Sequence, residues 1–313
     1  MSVSDPREVV VLSGKGGTGK TSITAAFAHL ARKSILCDLD VDAPDLHILL
    51  QPTYLETQDF ISGEEARIDA QACTGCGVCR EHCAFDAILE QDGVWAIDPL
   101  RCEGCMVCQA LCPAGAVLSE PRHCGVRHLS STRFGPLVHA RLFPGQENSG
   151  RLVAVLRAQA REVAAAHRCG LIVSDGSPGI GCPVISSLTG ADMAIIVSEP
   201  TPSGRHDLER VAALCGHFRI PVGVVINKYD VNPQAALEMG AWCRGQGHRV
   251  LAHLPFDEIV VRAMLQGKAV TECPAAAITP PLVAAWDHVE SFLKTLPPAA
   301  RNSRSGGLQE RMP

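Results

Sequence analysis

Residues 14–21 read Gly-Lys-Gly-Gly-Thr-Gly-Lys-Thr, the spacing Gly-x-x-x-x-Gly-Lys-Ser/Thr. Small residues at these positions let successive backbone N–H groups curl around an anion. Lys20 would reach the β- and γ-phosphates of a nucleotide, and Thr21 offers its hydroxyl to Mg²⁺. A helix starting at the end of this loop aims its positive N-terminal end at the same charge. Gly14, Gly16, Gly17, Thr18, Gly19, Lys20, Thr21 and the adjoining Ser22 form the expected phosphate-binding set.

A second chemistry lies further along. The chain has 15 cysteines in 313 residues, and eight of them fall between Cys73 and Cys112. Cys73, Cys76, Cys79 and Cys83 repeat the spacing of Cys102, Cys105, Cys108 and Cys112, the last followed by Pro113. Two such runs are the bacterial-type ferredoxin signature, in which the fourth cysteine of each run ligates the other 4Fe–4S cluster. Cys73, Cys76, Cys79 and Cys112 would hold one cluster; Cys102, Cys105, Cys108 and Cys83 would hold the other. Gly75, Gly77 and Gly104 let backbone N–H groups approach the sulfurs. Zinc is the competing reading, although zinc sites favour paired Cys-x-x-Cys units over triple runs with a distant fourth. Ala84 stands after Cys83 where the signature usually has Pro, which bears on the local loop more than on ligation. The other seven cysteines are scattered and read as ordinary thiols. Cys182, in Gly181-Cys182-Pro183, is alternatively an extra ligand at a dimer interface.

The elements that must position these groups follow an α/β rhythm. Residues 9–12 form an apolar strand before the Gly-rich loop, 21–32 a helix, and 34–39 a second strand ending in acidic residues. From 57 to 120 the periodicity vanishes, with a short strand at 94–97 as its only regular signal. Nine acidic and three basic residues fall in 64–119, so the chain's formal charge of −5 belongs to this segment. A helical pattern resumes at 151–167. Strand-length apolar runs then follow at 171–174, 193–197, 222–226 and 249–254, with helices at 204–215, 233–245 and 285–296. The expected fold is a mostly parallel, doubly wound α/β sheet over 1–58 and 121–296, interrupted by a small α+β two-cluster unit at 59–120. Residues 297–313 are expected to be a disordered tail.

With Lys15 just after the first glycine, Ser13-Gly-Lys-Gly-Gly-Thr-Gly-Lys-Thr21 resembles the deviant Walker A motif of the MinD/ParA and nitrogenase-iron-protein class of P-loop ATPases. The resemblance extends from Val9 to Leu296 and includes Ser198-Glu-Pro-Thr-Pro-Ser-Gly204. It implies ATP or ADP as ligand, ATP hydrolysis, and a homodimer formed on ATP binding in which Lys15 contacts the phosphates across the interface. Asp38-Leu-Asp40-Val-Asp42 is similar to the class's A′ and switch I segment. By that match Asp38 joins the Mg²⁺ shell and Asp40 positions or deprotonates the attacking water; Asp42 could share that work. Asp175, at the end of an apolar run, resembles the Walker B aspartate that holds Mg²⁺, and Gly179 the switch II glycine. The class more often has Pro or Ala at Ser177. Asn227, with Lys228, resembles the base-recognition position, flanked by Pro255-Phe256-Asp257; an amide offers the adenine edge a donor and an acceptor. Either segment reads alternatively as a turn after a strand.

The overall charge offers nothing to nucleic acid or an anionic membrane. No apolar run approaches the roughly 20 residues that span a bilayer, and the polar start resembles no signal peptide. A cytoplasmic protein without a direct membrane anchor is expected, because the tail lacks a basic amphipathic face. Three functions fit. The favoured one is an ATPase whose nucleotide state controls docking while the clusters pass or sense electrons with an unknown redox or metalloprotein partner. The others are a cluster-assembly or carrier ATPase, and a MinD-like positioning switch with structural or sensory clusters.

Overall fold

β1 (Arg7–Ser13) is apolar on both faces, as a strand covered on two sides must be. Val9 and Val11 join a core with Phe27 and Trp286, whereas Val10 and Leu12 join another with Leu208 and Met239. The computed structural model describes residues 5–91, 94–146, 148–273 and 276–297. The tail expected to be disordered lies, from 298 onward, outside the described residues.

After β1 come α1 (Lys20–Leu30), β2 (Ile35–Asp38), α2 (Leu46–Leu50), β3 (Thr53–Ile68), α3 (Val78–Glu81), β4 (Ile88–Gln91), β5 (Val94–Ile97), α4 (Val107–Leu111), β6 (Val117–Thr132) and β7 (Gly135–Leu142). They are followed by α5 (Ser149–His167), β8 (Leu171–Pro178), α6 (Cys182–Leu188), β9 (Met193–Ser198), α7 (Pro202–His217), β10 (Val222–Asn227), α8 (Pro233–Gly245), β11 (Arg249–Leu254), α9 (Glu258–Leu265) and α10 (Thr279–Thr295).

One sheet takes the order β11-β10-β9-β1-β8-β2-β7-β6-β3, and β4 and β5 form a separate hairpin. The strands from β11 to β7 pair in parallel, and β7, β6 and β3 pair antiparallel. α1 and α10 cover one face, where Phe27 and Trp286 rings stand 5.1 Å apart. α7 and α8 cover the other beside β9 and β10, and α5 covers it beside β2 and β7. α10 begins earlier than the expected 285, running through Pro280 and Pro281, because a first turn has no use for their missing N–H groups.

The largest departure from the sequence reading is the ribbon of β3 and β6. These strands run 16 residues each and pass through 58/59 and 120/121, where the expected insertion begins and ends. Only 69–116 leaves the main sheet. β3 is the sheet's edge strand and its first seven residues are exposed, so no alternation marks it. Register shifts between Phe60 and Ile61 and between Ile61 and Glu64 break the period again. They sit where β6 loses its second neighbour, since β7 pairs only with 125–132.

A buried imidazole fastens the ribbon's root. His139 on β7 is 4% exposed and meets Ser130 Oγ through Nε2 at 2.9 Å. Burial, then the neighbouring His128 and His47, push its pKa from 6.5 down to about 3. The unfolded chain takes up this proton first, so the stability His139 contributes is present above pH 6.5 and is lost progressively toward pH 3. The urea midpoint of metal-free chain should therefore fall between about pH 7.5 and about pH 5, and His139→Gln should flatten that fall. An unchanged pH slope in the variant would refute this.

Among the described residues no helix is long and apolar enough to cross a membrane.

Candidate functional site

The Gly-rich loop leaves β1 and enters α1, as its pattern requires. Two of its glycines are fixed by space. A Cβ on Gly14 would lie 2.1 Å from the Cβ of Asp207 on α7. Gly19 has φ +90°, and its Cβ would meet Asn227 Nδ2 at 2.6 Å. The Thr18 hydroxyl is buried with no hydrogen-bond partner among the described residues, and the Asn227 amide donates to Thr18 O at 2.8 Å.

Below the loop, β2 and β8 pair in a register that sets Asp38 beside Asp175. Lys20 Nζ lies 3.0 Å from Asp175 and 3.4 Å from Asp40. Thr21 Oγ1 donates to Asp175 at 2.7 Å, and Thr24 Oγ1 donates to its other oxygen at 2.8 Å. Asp38 is fully buried and accepts from the N–H groups of Asp40 at 3.1 Å and Leu46 at 3.2 Å. Burial lowers the affinity of Lys20 for its proton, but Asp175, Asp40 and Asp38 outweigh it and hold the ammonium above its ordinary pKa. Burial, then Asp175, push the Asp38 carboxyl well above the usual carboxylate range. Burial raises Asp40 as well, with Lys20 pulling it back. Three carboxylates thus face one buried ammonium and a hydroxyl. This all-oxygen set, in excess of its cation, suits Mg²⁺.

Asp42 is exposed and lines a separate hollow beside Arg141, so Asp40 is the carboxylate that reaches Lys20. Gly179 follows β8 and donates its N–H to Ser13 O at 2.8 Å, tying that turn to the loop. Ser177 earns its place by donating to Leu39 O at 2.8 Å, which joins the ends of β8 and β2.

Beside the loop a cavity of about 710 Å³ is lined by Gly17, Gly19, Ser22, Asn227, Pro255 and Asp257, with an apolar wall from Phe256, Val260 and Met264. Such a hollow, apolar with a few directed polar groups, suits a nucleobase.

In the segment 69–116 the two cysteine runs fold alike. The N–H of Cys73 donates to Asp69 O and that of Cys102 to Asp98 O, both at 3.0 Å. The N–H of Cys83 donates to Arg80 O and that of Cys112 to Gln109 O, both at 3.3 Å. Cys73, Cys76, Cys79 and Cys112 line one cavity of about 310 Å³, closed partly by Trp95. Cys83, Cys102, Cys105 and Cys108 line a second of about 360 Å³. Burial raises the Cys112 thiol, but backbone N–H groups of residues 114–117 outweigh it and hold its pKa below the ordinary value. That of Ala116 lies 3.3 Å from the sulfur. Among the described residues no three His, Cys, Asp or Glu side chains converge to hold a single metal ion.

The CobQ/CobB/MinD/ParA nucleotide-binding domain family matches residues 9–270 of the sequence. The chain belongs to that family. Uncharacterized protein MJ0578 of Methanocaldococcus jannaschii is 35% identical over 228 residues, 72% of this chain and 79% of the relative. The cell division ATPase MinD of Pyrococcus furiosus aligns over 91% of this chain and 99% of its own, with a TM-score of 0.55 and 17% identity. MinD of Pyrococcus horikoshii, solved with Mg-ADP, gives 0.56 and 16% over 92% and 97%. These structural likenesses show a shared fold, the mostly parallel α/β sheet of MinD/ParA P-loop NTPases.

In this CobQ/CobB/MinD/ParA chain some contacts at the site, and one residue, escaped the sequence. Lys15 Nζ lies 3.2 Å from Ser203 Oγ and 3.7 Å from Glu199, and Lys228 lies 2.5 Å from the same carboxylate. Glu199 follows β9 and Ser203 stands in the first turn of α7; both belong to the Ser198–Gly204 segment singled out in the sequence, but no local pattern announces that it folds over Lys15. Thr24 was findable, because it stands four residues after Lys20 on the same helical face.

Proposed function

We propose that this chain is an ATP-hydrolysing, nucleotide-dependent dimer switch coupled to electron transfer, or to redox-dependent partner docking, through two 4Fe–4S clusters. The carrying observation is the sorting of eight thiols into two hollows, each with three cysteines of one run and the last of the other. One tetrahedral zinc needs its four sulfurs at a point; thiols spread around a cavity suit a multi-atom group. The N–H groups around Cys112 supply the donors that a cluster thiolate takes.

At the nucleotide, Lys20 and the loop amides would bind the phosphates, and Thr21, Asp175 and Asp38 would hold Mg²⁺, which supplies charge neutralisation when bound. Asp40, paired to Lys20, orients the attacking water. Asn227, Pro255 and Asp257 frame the base. Lys15 leaves Glu199 and Ser203 to meet the nucleotide of a second copy. The clusters supply one-electron carriers when bound, and the chain's part is to ligate and shield them.

Anaerobically purified chain should carry about eight iron and eight sulfide, and Cys112→Ser should lose or degrade the cluster in the first hollow alone. The ATPase rate should also differ between oxidised and reduced protein. A preparation containing zinc, or neither iron nor acid-labile sulfide, would end the cluster reading. A rate indifferent to redox state would end the coupling.

A further inference from the structure

The two cysteine runs fold alike but are not gripped alike. β3 and β6 pair Ile61 with His123 and Glu64 with Pro121, so Ser62 and Gly63 bulge opposite the single residue Arg122. Gly63 supplies the left-handed conformation of this bulge, with φ +79°. Bulges re-aim side chains out of the regular alternation. Here the Arg122 guanidinium reaches the second run, where Nη1 donates to Cys102 O at 2.9 Å and Nη2 to Pro99 O at 3.2 Å. Resting on the two-cluster reading above, we propose that Arg122 is a positioning residue for the second cluster, fixing the loop that carries Cys102 and raising that cluster's reduction potential by its charge.

Both acceptors are neutral carbonyls, and among the described residues no carboxylate pairs with Arg122. By contrast, Arg67 is paired with Glu120 at 2.8 Å and Arg101 with Asp98 at 3.4 Å. Arg122 Nε is buried with no hydrogen-bond partner among the described residues, so water screens this charge less than it screens those of the exposed arginines. The loop that it holds is closely packed. A Cβ on Gly104 would lie 2.1 Å from Glu64 O, so the second run lies against the β3 backbone beside the same bulge. At the first run the side chain that donates to the loop is the neutral indole of Trp95, whose Nε1 meets Gly75 O at 3.4 Å.

Reduction adds one electron and no atom to a cluster. A guanidinium keeps its proton at any working pH. Its fixed positive charge beside Cys102 lowers the energy of the reduced, more negative form, whereas Glu103, which lines the second hollow, opposes it. Two sets of four thiols thus meet different fields.

The test uses the whole chain, purified without air and titrated with dithionite and redox mediators while electron paramagnetic resonance follows both clusters. Cys112→Ser tells their signals apart. Arg122→Gln, which keeps a donor but no charge, should lower the second cluster's midpoint by about a tenfold change in its reduction equilibrium, roughly 59 mV for one electron, and leave the first within about twofold. Arg122→Lys, which restores the charge without the fork, should return most of that shift. If Arg122→Gln sheds the second cluster alone, Arg122→Lys must regain it with a midpoint near the parent's, and failure to do so overturns the proposal. An unmoved second midpoint in Arg122→Gln, or equal shifts of both clusters, overturns it too. A parent with neither iron nor acid-labile sulfide strikes the two-cluster reading itself, and the role of Arg122 with it, so iron content separates the two failures.

Discussion

ATP hydrolysis should fall by roughly 10²–10³-fold when Lys20 is replaced by Ala, the loss seen when one preorganised charge donor is removed from a reacting centre. Lys20 is the ammonium set against Asp175 at 3.0 Å and Asp40 at 3.4 Å. Its removal deletes the cation aimed at the phosphates and leaves three carboxylates to repel them. Nucleotide affinity should fall with the rate, and extra Mg²⁺ should restore little of either. Steady-state phosphate release and calorimetric titration with a non-hydrolysable analogue measure the two separately. A rate within a few-fold of the parent would place the chemistry elsewhere.

The largest effect on folding should come from Arg157→Ala, far from the nucleotide. Arg157 on α5 forks onto the Glu8 carboxylate at 2.6 and 2.7 Å, and also donates at 2.6 Å to Ser186 O and Thr189 O. The pair lies inside the fold, at 5% and 1% side-chain exposure. Truncating one partner strands a buried charge, which costs about 3–5 kcal/mol. That is a large part of the roughly 5–15 kcal/mol by which domains are stable. Arg161, 2.9 Å from Glu8, softens the loss. Urea unfolding should show it. The double variant Glu8→Leu with Arg157→Met should recover much of the stability, because the one charge that loses a partner, Arg161, is 32% exposed and reaches water. Equal destabilisation by the single and double variants would assign the effect to packing.

The phosphate loop and the cysteine runs were legible because their chemistry is local: a cradle needs consecutive glycines, and each thiol run needs fixed spacing. Six of the seven parallel strands were legible for a related reason, since burial on both faces leaves an unbroken apolar run such as 9–12; β7 was missed because His139 and Arg141 interrupt its apolar run. β3 and β6 were invisible because an exposed edge ribbon with shifted register has no period to read. Glu8 looked like a polar residue at a strand start, and nothing nearby in sequence announces Arg157, 149 residues away. The base cavity was half legible: Asn227, Pro255 and Asp257 line it, but the wall from α9 comes from a helix the sequence did not suggest.

The ribbon's bent outer half makes it a boom. About eight residues of each strand project past β7, which at about 3.3 Å per residue is a reach of roughly 25 Å. Its root is packed: Phe60 and Ser62 are 4% and 2% exposed, and Arg151 on α5 reaches Ser62 Oγ at 3.1 Å. The thiol-bearing head is therefore held out beyond β7 on an arm anchored in the body that grips the phosphates.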